Sequence, residues 1–260
     1  MTYEKVIYSV ENGVARITMN DPKTRNSISQ QMGHEILDAL GRAAGDARAV
    51  VLTGAEGAFS TGANLKGLAP VLEDPQRDVG LQLDQIFNPI LLAIKNLDQP
   101  VVTSVRGAAA GVGATLAMAG DLIVCADDSF FLQAFCNIGL VPDGGSSWLL
   151  TRAVGRVRAM QLMMLGERLP APKALEWGLV NFVVPDGEVE AKTTELVERL
   201  ASGPRSLALI KKIAWAAADD DLERALSNER FAQREAGRSA DFVEGVTAFV
   251  EKRPAQFKGS

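Results

Sequence analysis

The chain has 260 residues, of which 47% are hydrophobic and 23% charged, and it carries a net charge of −5 at pH 7. These values are typical of a globular protein with a large core, built as one domain or as one domain with an appendage. The acidic balance and the lack of a long basic run argue against a nucleic-acid partner. A local cationic pocket for a phosphorylated ligand remains compatible with this charge.

The cysteine content and the opening segment bear on where the protein works. Cys125 and Cys136 form neither a disulfide framework nor a metal-type cluster. The segment MTYEKVIYSV lacks the apolar region of a signal peptide, and no apolar run is long enough to span a bilayer. The sequence therefore predicts a cytoplasmic protein without a membrane partner.

The chain opens with a strand pattern. Residues 5–10 and 14–19 alternate apolar and polar side chains around an Asn-Gly turn, which predicts a β-hairpin. The next segment, NDPKTRNS at 20–27, is a turn-rich loop that carries Lys23 and Arg25.

A first helix is predicted to begin with Ser29 as its N-cap and to run to about residue 44. The only histidine, His34, falls on this helix, where we expect a surface or packing role. It supports neither a Ser-His-Asp triad nor a histidine-rich zinc site, so no metal is predicted. The phosphate-loop and dinucleotide-binding glycine motifs are missing, which argues against nucleotide hydrolysis and hydride transfer.

The rest of the chain is predicted to form strands and helices that are separated by glycines and prolines. The predicted strands lie at 49–52, after Pro100, and at 121–126, 130–132 and 180–184. After a surface loop over 68–80, the predicted helices are 81–96, 146–153, 156–165 and about 172–177, and the chain from 188 onward is helical with breaks near 203–204 and 218–221.

The stretch VRGAAAGVGATLAMAGD at 105–121 is the centre of the chain's organisation. It predicts the end of a strand, a turn of small residues at 107–111, and a buried helix. The start of a helix offers unpaired N–H groups and a positive dipole end, which could hold an anion or an oxygen becoming one. The alternative is that glycine and alanine here only permit tight helix packing.

Two other loops could share that chemistry. The segment AFSTGANLK at 58–66 has the same small-residue character, and two such turns converging on one carbonyl oxygen would form an oxyanion hole. The segment IGLVPDGG at 138–145 places Asp143 just before an apolar helix. Asp143 could cap that helix, or it could be a base whose pKa is raised beside an apolar cavity.

Six segments, taken together and in order, resemble the crotonase (enoyl-CoA hydratase/isomerase) superfamily over nearly the whole chain. They are PKTRNSIS, AFSTGANLK, VRGAAAGVGATLAMAGD, IGLVPDGG, ALEWGLVNFVVP and FVEKRPAQFKG. The resemblance implies an α/β fold in which residues 1–202 form a spiral of ββα repeats and 203–260 form a helical region that builds trimers, often paired into hexamers. It also implies an acyl-CoA thioester substrate, with coenzyme A as part of that substrate and no separate cofactor.

The resemblance also assigns residues. The oxyanion hole would be the backbone N–H groups of Ala63 and Val112, where the side chain of Val112 replaces the glycine that is common in the family. Residues that would contact the coenzyme A portion are Asn64, Leu65 and Lys66, and those bordering its adenosine phosphates are Lys23 and Arg25. Lys23 and Arg25 could equally be solvated surface charges.

This sequence departs from the hydratases at their two water-activating glutamates, where it has Thr115 and Phe135. A hydroxyl and a phenyl ring cannot replace that acid–base pair, so both residues are expected to line the substrate pocket instead. Asp143, however, matches the position at which isomerases of the superfamily place their working carboxylate. The resemblance thus favours a catalytic Asp143 and an acyl-CoA isomerase that moves a double bond, with a ring-bearing acyl group also considered.

Other readings remain open. They are a hydratase-like or dehalogenase-type reaction on the same fold, and an acyl-CoA binder without catalysis.

Overall fold

The computed structural model describes residues 3–66 and 72–260. Within these ranges the strands are β1 (Val6–Glu11), β2 (Val14–Met19), β3 (Ala49–Gly54), β4 (Val101–Val105), β5 (Ala108–Ala110), β6 (Leu122–Ala126), β7 (Phe130–Leu132), β8 (Arg168–Pro170) and β9 (Phe182–Val184). The α-helices are α1 (Gln30–Asp46), α2 (Asn88–Asn96), α3 (Val112–Met118), α4 (Ser146–Leu165), α5 (Ala171–Glu176), α6 (Val189–Ala201), α7 (Ser206–Ala217), α8 (Leu222–Ala236) and α9 (Ala240–Glu251).

A six-stranded sheet in the order β1-β2-β3-β4-β6-β9 forms the frame. The predicted hairpin is confirmed: β1 and β2 pair antiparallel across Asn12 and Gly13, which both have positive φ as a tight hairpin turn requires. The other pairings are parallel. Parallel strands covered on both faces are apolar throughout, and the β-branched runs of β3 and β4 fit this pattern.

A smaller sheet, in the order β5-β7-β8, stands beside the first and carries the central stretch. The prediction of a turn over 107–111 is wrong in its middle, because Ala108–Ala110 is strand β5 and pairs in parallel with Phe130–Leu132. Alanine has little intrinsic preference for strands, so tertiary pairing rather than propensity determines this element. The turn is confined to Gly107 and Gly111, both at positive φ.

Helices cover both faces of the large sheet. Helix α1 buries Met32, Ile36 and Leu40 against one face, and the hydroxyl of Ser29 accepts a hydrogen bond from the N–H of Met32, which confirms the predicted N-cap. Helix α6 covers the other face with an apolar stripe that includes Val197. The sheet is therefore the middle layer of an α/β structure.

The later helices differ from prediction in detail. The helices expected at 146–153 and 156–165 form one element, α4, with a kink at Gly155, where φ is 78° and ψ is 157°. Helix 81–96 is confirmed, beginning in a π-helical turn at Leu83–Phe87 that leads into α2. The predicted loop over 68–80 begins in residues that lie outside the described ranges.

The C-terminal part consists of α6 to α9, with the two predicted breaks confirmed and a third, unpredicted break before Ser239, the N-cap of α9. Helix α7 is attached to the start of β6 by a buried ion pair between Lys211 and Asp121, 2.9 Å apart, and to α4 by the stacked rings of Trp148 and Trp215. In the described ranges no helix is long and apolar enough to cross a membrane.

Candidate active site

Two loops from distant parts of the chain meet at the start of α3. Ser60 forms an isolated parallel bridge with Ala109, and Gly62 packs directly on the next turn. A Cβ atom added at Gly62 would lie 2.7 Å from the carbonyl oxygen of Ala110 and 3.5 Å from the Cα of Gly111. Only glycine, here at φ 93°, permits this approach, so Ala63 and Val112 follow on adjoining backbone segments.

The backbone N–H groups of Ala63 and Val112 are available for a ligand. The N–H of Ile28 donates to the carbonyl of Gly62 and that of Asn64 donates to Ile28, so this pairing does not use the N–H of Ala63. Val112 is the first residue of α3, and its N-cap, Gly111, supplies no side-chain acceptor. Across residues 3–66 and 72–260 neither N–H has an acceptor, and an oxyanion hole requires such unpaired donors. Residues 62–63 and 111–112 are called the oxyanion turn below, after the role that the sequence predicts for them.

A buried asparagine, Asn26, holds in place the loop that leads to Ala63. Asn26 is fully buried at φ 58°, and its amide donates to the carbonyls of Ala55 and Ala58, both at 2.8 Å. In return, the hydroxyl of Ser60 donates to the carbonyl of Asn26 at 2.7 Å. Sequence reasoning missed this residue, although an asparagine in a turn-rich loop is a signal for positive φ.

The predicted coenzyme A contacts lie along the same loops. Lys23 and Arg25 are exposed, and the carbonyl of Arg25 accepts a hydrogen bond from the N–H of Thr61, which places their segment beside the Ala63 loop. Next to Ala63, the side chain of Asn64 accepts from the N–H of Lys66, and Leu65 and Lys66 are exposed. The bond between Thr61 and Arg25 therefore brings the segment of the two cations beside the loop that carries Asn64, Leu65 and Lys66.

Asp143 does not cap the helix that follows it, so the capping interpretation is wrong. The N-cap of α4 is Gly145, and that helix has no side-chain cap. Instead, the Oδ1 atom of Asp143 is buried and has no hydrogen-bond partner among the described residues. Burial raises the pKa of this carboxyl group to about 6. A side chain in this state is a base near neutrality.

Two glycines bring Asp143 against the oxyanion turn. Gly144, at φ 58°, lies on α3 so closely that an added Cβ would be 3.2 Å from Cγ2 of Val112 and 3.6 Å from Cγ2 of Thr115. Gly145, at φ 90°, packs in the same way on Leu91 of α2. The loop that carries Asp143 therefore rests on the helix turn that carries the Val112 donor.

Thr115 and Phe135 occupy the remaining positions of interest. Thr115 is fully buried, and its hydroxyl donates to the carbonyl of Asp143 at 3.3 Å. Phe135 is only 6% exposed, and its ring lies 3.8 Å from the place of a Cβ on Gly111. A phenyl ring therefore borders the oxyanion turn, and it offers no oxygen with which to orient a water molecule.

A second hydrogen bond near Asp143 was not predicted. The hydroxyl of Ser146, the first residue of α4, donates to the amide oxygen of Gln133 at 2.6 Å. Gln133 is 2% exposed, and its Nε2 has no partner in the part of the chain that the structure describes. No sequence signal pointed to this pair, because it joins the ends of two loops through side chains that are common on surfaces.

The other titratable candidates lie outside this site. His34 is exposed on α1, as expected. Cys125 is buried, which raises the pKa of its thiol to about 12, and Cys136 is half-buried; both are free. Among the described residues no group of three or more His, Cys, Asp or Glu side chains could hold a metal ion.

Known proteins resemble this chain along its length. A family model described as enoyl-CoA hydratase/isomerase matches residues 9–260. The 1,2-epoxyphenylacetyl-CoA isomerase of Escherichia coli (strain K12) is 39% identical over 259 residues, covering 98% of this chain and 99% of that protein. A protein of Rhodobacter capsulatus named as a probable enoyl-CoA hydratase is 40% identical over 264 residues, covering 100% of both chains.

Solved structures agree with the sequence comparisons. The crystal structure of an enoyl-CoA hydratase from Polaromonas sp. JS666 matches with a TM-score of 0.91 at 31% identity, covering 97% of this chain and 99% of that one. The names of these relatives divide between isomerisation and hydration, so the choice of reaction depends on the side chains of the site.

Proposed function

This chain belongs to the enoyl-CoA hydratase/isomerase family, and from that premise we propose that it is an acyl-CoA isomerase that moves a carbon–carbon double bond. The observation that carries the proposal is the state of Asp143. Its Oδ1 is buried without a partner in the described residues, beside the start of α3, and its pKa is raised to about 6 by burial. A single carboxyl group of this kind suits proton transfer at neutral pH.

The two backbone donors would act on the thioester. In this proposal the thioester oxygen accepts hydrogen bonds from the N–H groups of Ala63 and Val112, which stabilise the charge that develops when a neighbouring carbon loses a proton. Asp143 takes a proton from C2 of a 3-enoyl thioester and returns it to C4. The double bond thereby moves from C3–C4 to C2–C3, and no other acid is needed because the same group delivers the proton it removed.

Hydration is the second candidate, favoured by the name of the Rhodobacter capsulatus relative. Addition of water requires one group to orient the water molecule and another to exchange protons with the substrate. The positions expected to supply those groups are Thr115 and Phe135. The hydroxyl of Thr115 donates to the main-chain carbonyl of Asp143, and the ring of Phe135 has no polar atom. The site chemistry therefore supports isomerisation better than hydration.

Substrate contacts outside the reacting carbons are part of the proposal. Lys23 and Arg25 would face the phosphates of coenzyme A. The segment of Asn64, Leu65 and Lys66 would contact its pantetheine arm. The reaction would need no cofactor besides the coenzyme A of the substrate. Phe135 would form an apolar wall of the acyl pocket. A ring-bearing acyl group belongs among the substrates to be tested, because an aromatic wall packs well against an aromatic ring.

We further propose that the chain assembles as a homotrimer, alone or in pairs, through residues 203–260. Helices α8 and α9 expose many large apolar side chains, among them Phe231, Phe242, Val246 and Phe249. Exposed apolar surface of this extent marks an interaction site. Light scattering on the purified protein measures the assembly. Location in the cytoplasm also remains a proposal.

An isotope experiment tests the reaction. The protein is incubated with 3-enoyl-CoA thioesters of short, long and aryl chains in deuterated water, and products are identified by NMR. Migration of the double bond supports the proposal, whereas a 3-hydroxyacyl product supports hydration. If every thioester binds but none shows migration of the double bond or uptake of deuterium, the protein is an acyl-CoA binder without catalysis. Asp143→Asn should abolish migration while leaving affinity for coenzyme A within about threefold, because the amide has the same shape but cannot accept a proton.

A further inference from the structure

The contact between Thr115 and Asp143 bears on how the site is held together. Thr115 lies three residues after Val112, on the same face of α3, and its side chain is fully buried. Its hydroxyl donates to the carbonyl of Asp143 at 3.3 Å, and its methyl group would lie 3.6 Å from a Cβ on Gly144. One side chain of the helix that supplies an oxyanion donor therefore contacts two successive residues of the acid's loop.

The carboxylate of Asp143 depends on its main chain for its position. The carbonyl of Asp143 accepts two hydrogen bonds, one from Thr115 and one from the N–H of Ser146 at 2.9 Å. Its Oδ1 has no partner in the described ranges. The bond from Ser146, the first residue of α4, closes the turn through which the loop enters that helix, so it does not join the loop to α3. The bond from Thr115 joins the loop to α3.

We propose that Thr115 is a positioning residue, which fixes the main chain of Asp143 on α3 so that the carboxylate stays over the oxyanion turn. The proposal rests on the proposed role of Asp143 as the acid and base. It changes the expectation for Thr115, which acts through Asp143 and not by contact with substrate. The side chains that contact Gly144 and Gly145 from α3 and α2 are Val112, Thr115 and Leu91, none of which titrates.

Two variants of Thr115 separate the effect of its hydroxyl from the effect of its volume, and a third variant serves as the control. Thr115→Val keeps the shape and removes the donor, whereas Thr115→Ser keeps the donor and removes the methyl group. The matched control is Thr193→Val on α6, because Thr193 is also fully buried and donates its hydroxyl to Ser104 at 3.0 Å, in the layer on the other face of the sheet. All three are compared with the unmodified protein in the migration assay.

We expect Thr115→Val to lower kcat by about 10- to 100-fold with little change in KM, because a small displacement of a reacting group is costly while thioester binding is retained. Thr115→Ser should restore kcat to within about threefold of the unmodified protein, and Thr193→Val should stay in that range. The inference is overturned if Thr115→Val retains full kcat, if Thr115→Ser is as impaired as Thr115→Val, or if Thr193→Val loses as much.

A readout independent of turnover keeps this inference separate from the proposed reaction. The pKa of Asp143 is followed by NMR on protein with carbon-13-labelled aspartate, with Asp143→Asn to assign the signal. Release of the loop would hydrate the carboxylate, so in Thr115→Val the pKa should fall from about 6 toward the ordinary value. An unchanged pKa in Thr115→Val would reject the positioning role. If the unmodified protein moves no double bond, the proposed reaction fails, and the pKa comparison still decides whether Thr115 holds the loop.

Discussion

Gly62 lies so close to Ala110 that a Cβ atom at position 62 would be 2.7 Å from the carbonyl oxygen of Ala110. We expect Gly62→Ala to separate the two loops and misplace the N–H of Ala63. Loss of one oxyanion donor costs about 100- to 1,000-fold in kcat, so if Ala63 is the proposed donor, the rate of double-bond migration should fall by that order. Steady-state kinetics with circular dichroism measures the rate and the folded fraction.

A second glycine of the same region provides the control. Gly57 also has positive φ, at 76°, but a Cβ there would meet nothing within 4 Å. Gly57→Ala should therefore carry only backbone strain of about 1 to 2 kcal/mol and retain kcat. Equal loss of kcat in both variants would show that positive φ, and not the contact with Ala110, matters at position 62.

The raised pKa of Asp143 predicts a pH profile. Because the base must be ionised, kcat/KM should be constant at neutral pH and should fall as the pH drops through about 6, the value to which burial raises the pKa. Measurement of kcat/KM from about pH 5 to about pH 8 in constant ionic strength checks this. A profile that is still nearly flat at about pH 5, as the ordinary aspartate pKa of about 4 would give, would mean that the carboxyl group is hydrated in the active enzyme.

The same carboxyl group should affect stability with a defined sign. Its pKa is higher in the folded chain than in the unfolded chain, so its protonated form favours folding; this contribution is present below about pH 4 and lost as the pH rises through about 6. Asp143→Asn should therefore raise the melting temperature at about pH 8, and the gain should shrink toward about pH 4. Calorimetry at the two pH values measures it, and a gain of equal size at both would exclude ionisation as the cause.

The cations near the Ala63 loop predict a salt-dependent affinity. If Lys23 and Arg25 face phosphates, the double variant Lys23→Ala with Arg25→Ala should raise KM for acyl-CoA several-fold at low salt and leave KM for an acyl-pantetheine thioester unchanged. Replacement of Lys173 and Lys192, which pair with Glu176 and Glu195 on the surface, changes the net charge equally. A similar rise in KM in that control pair would show that the effect comes from the net charge of the protein and not from contacts of Lys23 and Arg25 with phosphates.

Local patterns predicted the elements whose signals lie within one segment. The hairpin at Asn12 and Gly13, the N-cap at Ser29 and the helix after Gly111 each follow from neighbouring residues. Strand β5 was missed because three alanines carry no strand signal, and its pairing partner lies about 20 residues later.

The site was predictable only in part. The residues of the two loops and Asp143 were identified from the sequence and the family resemblance. The approach of Gly62 to Ala110, the partnerless Oδ1 of Asp143 and the contact of Thr115 with the Asp143 carbonyl depend on distances between separate segments. Such distances leave no trace in the order of residues along one chain, so Asn26 and Gln133 could not be assigned their partners in advance.

The oxyanion turn is built from main-chain amides, and this has an evolutionary consequence. A substitution at Ala63 or Val112 by any residue except proline changes the side chain and keeps the N–H, so the half of the site that is proposed to polarise a thioester persists under mutational drift. The proposed acid and base, Asp143, is by contrast one side chain on a separate loop and can be exchanged by a single codon change. A scaffold divided in this way can acquire a different reaction on the same class of substrate without rebuilding its anion-binding half.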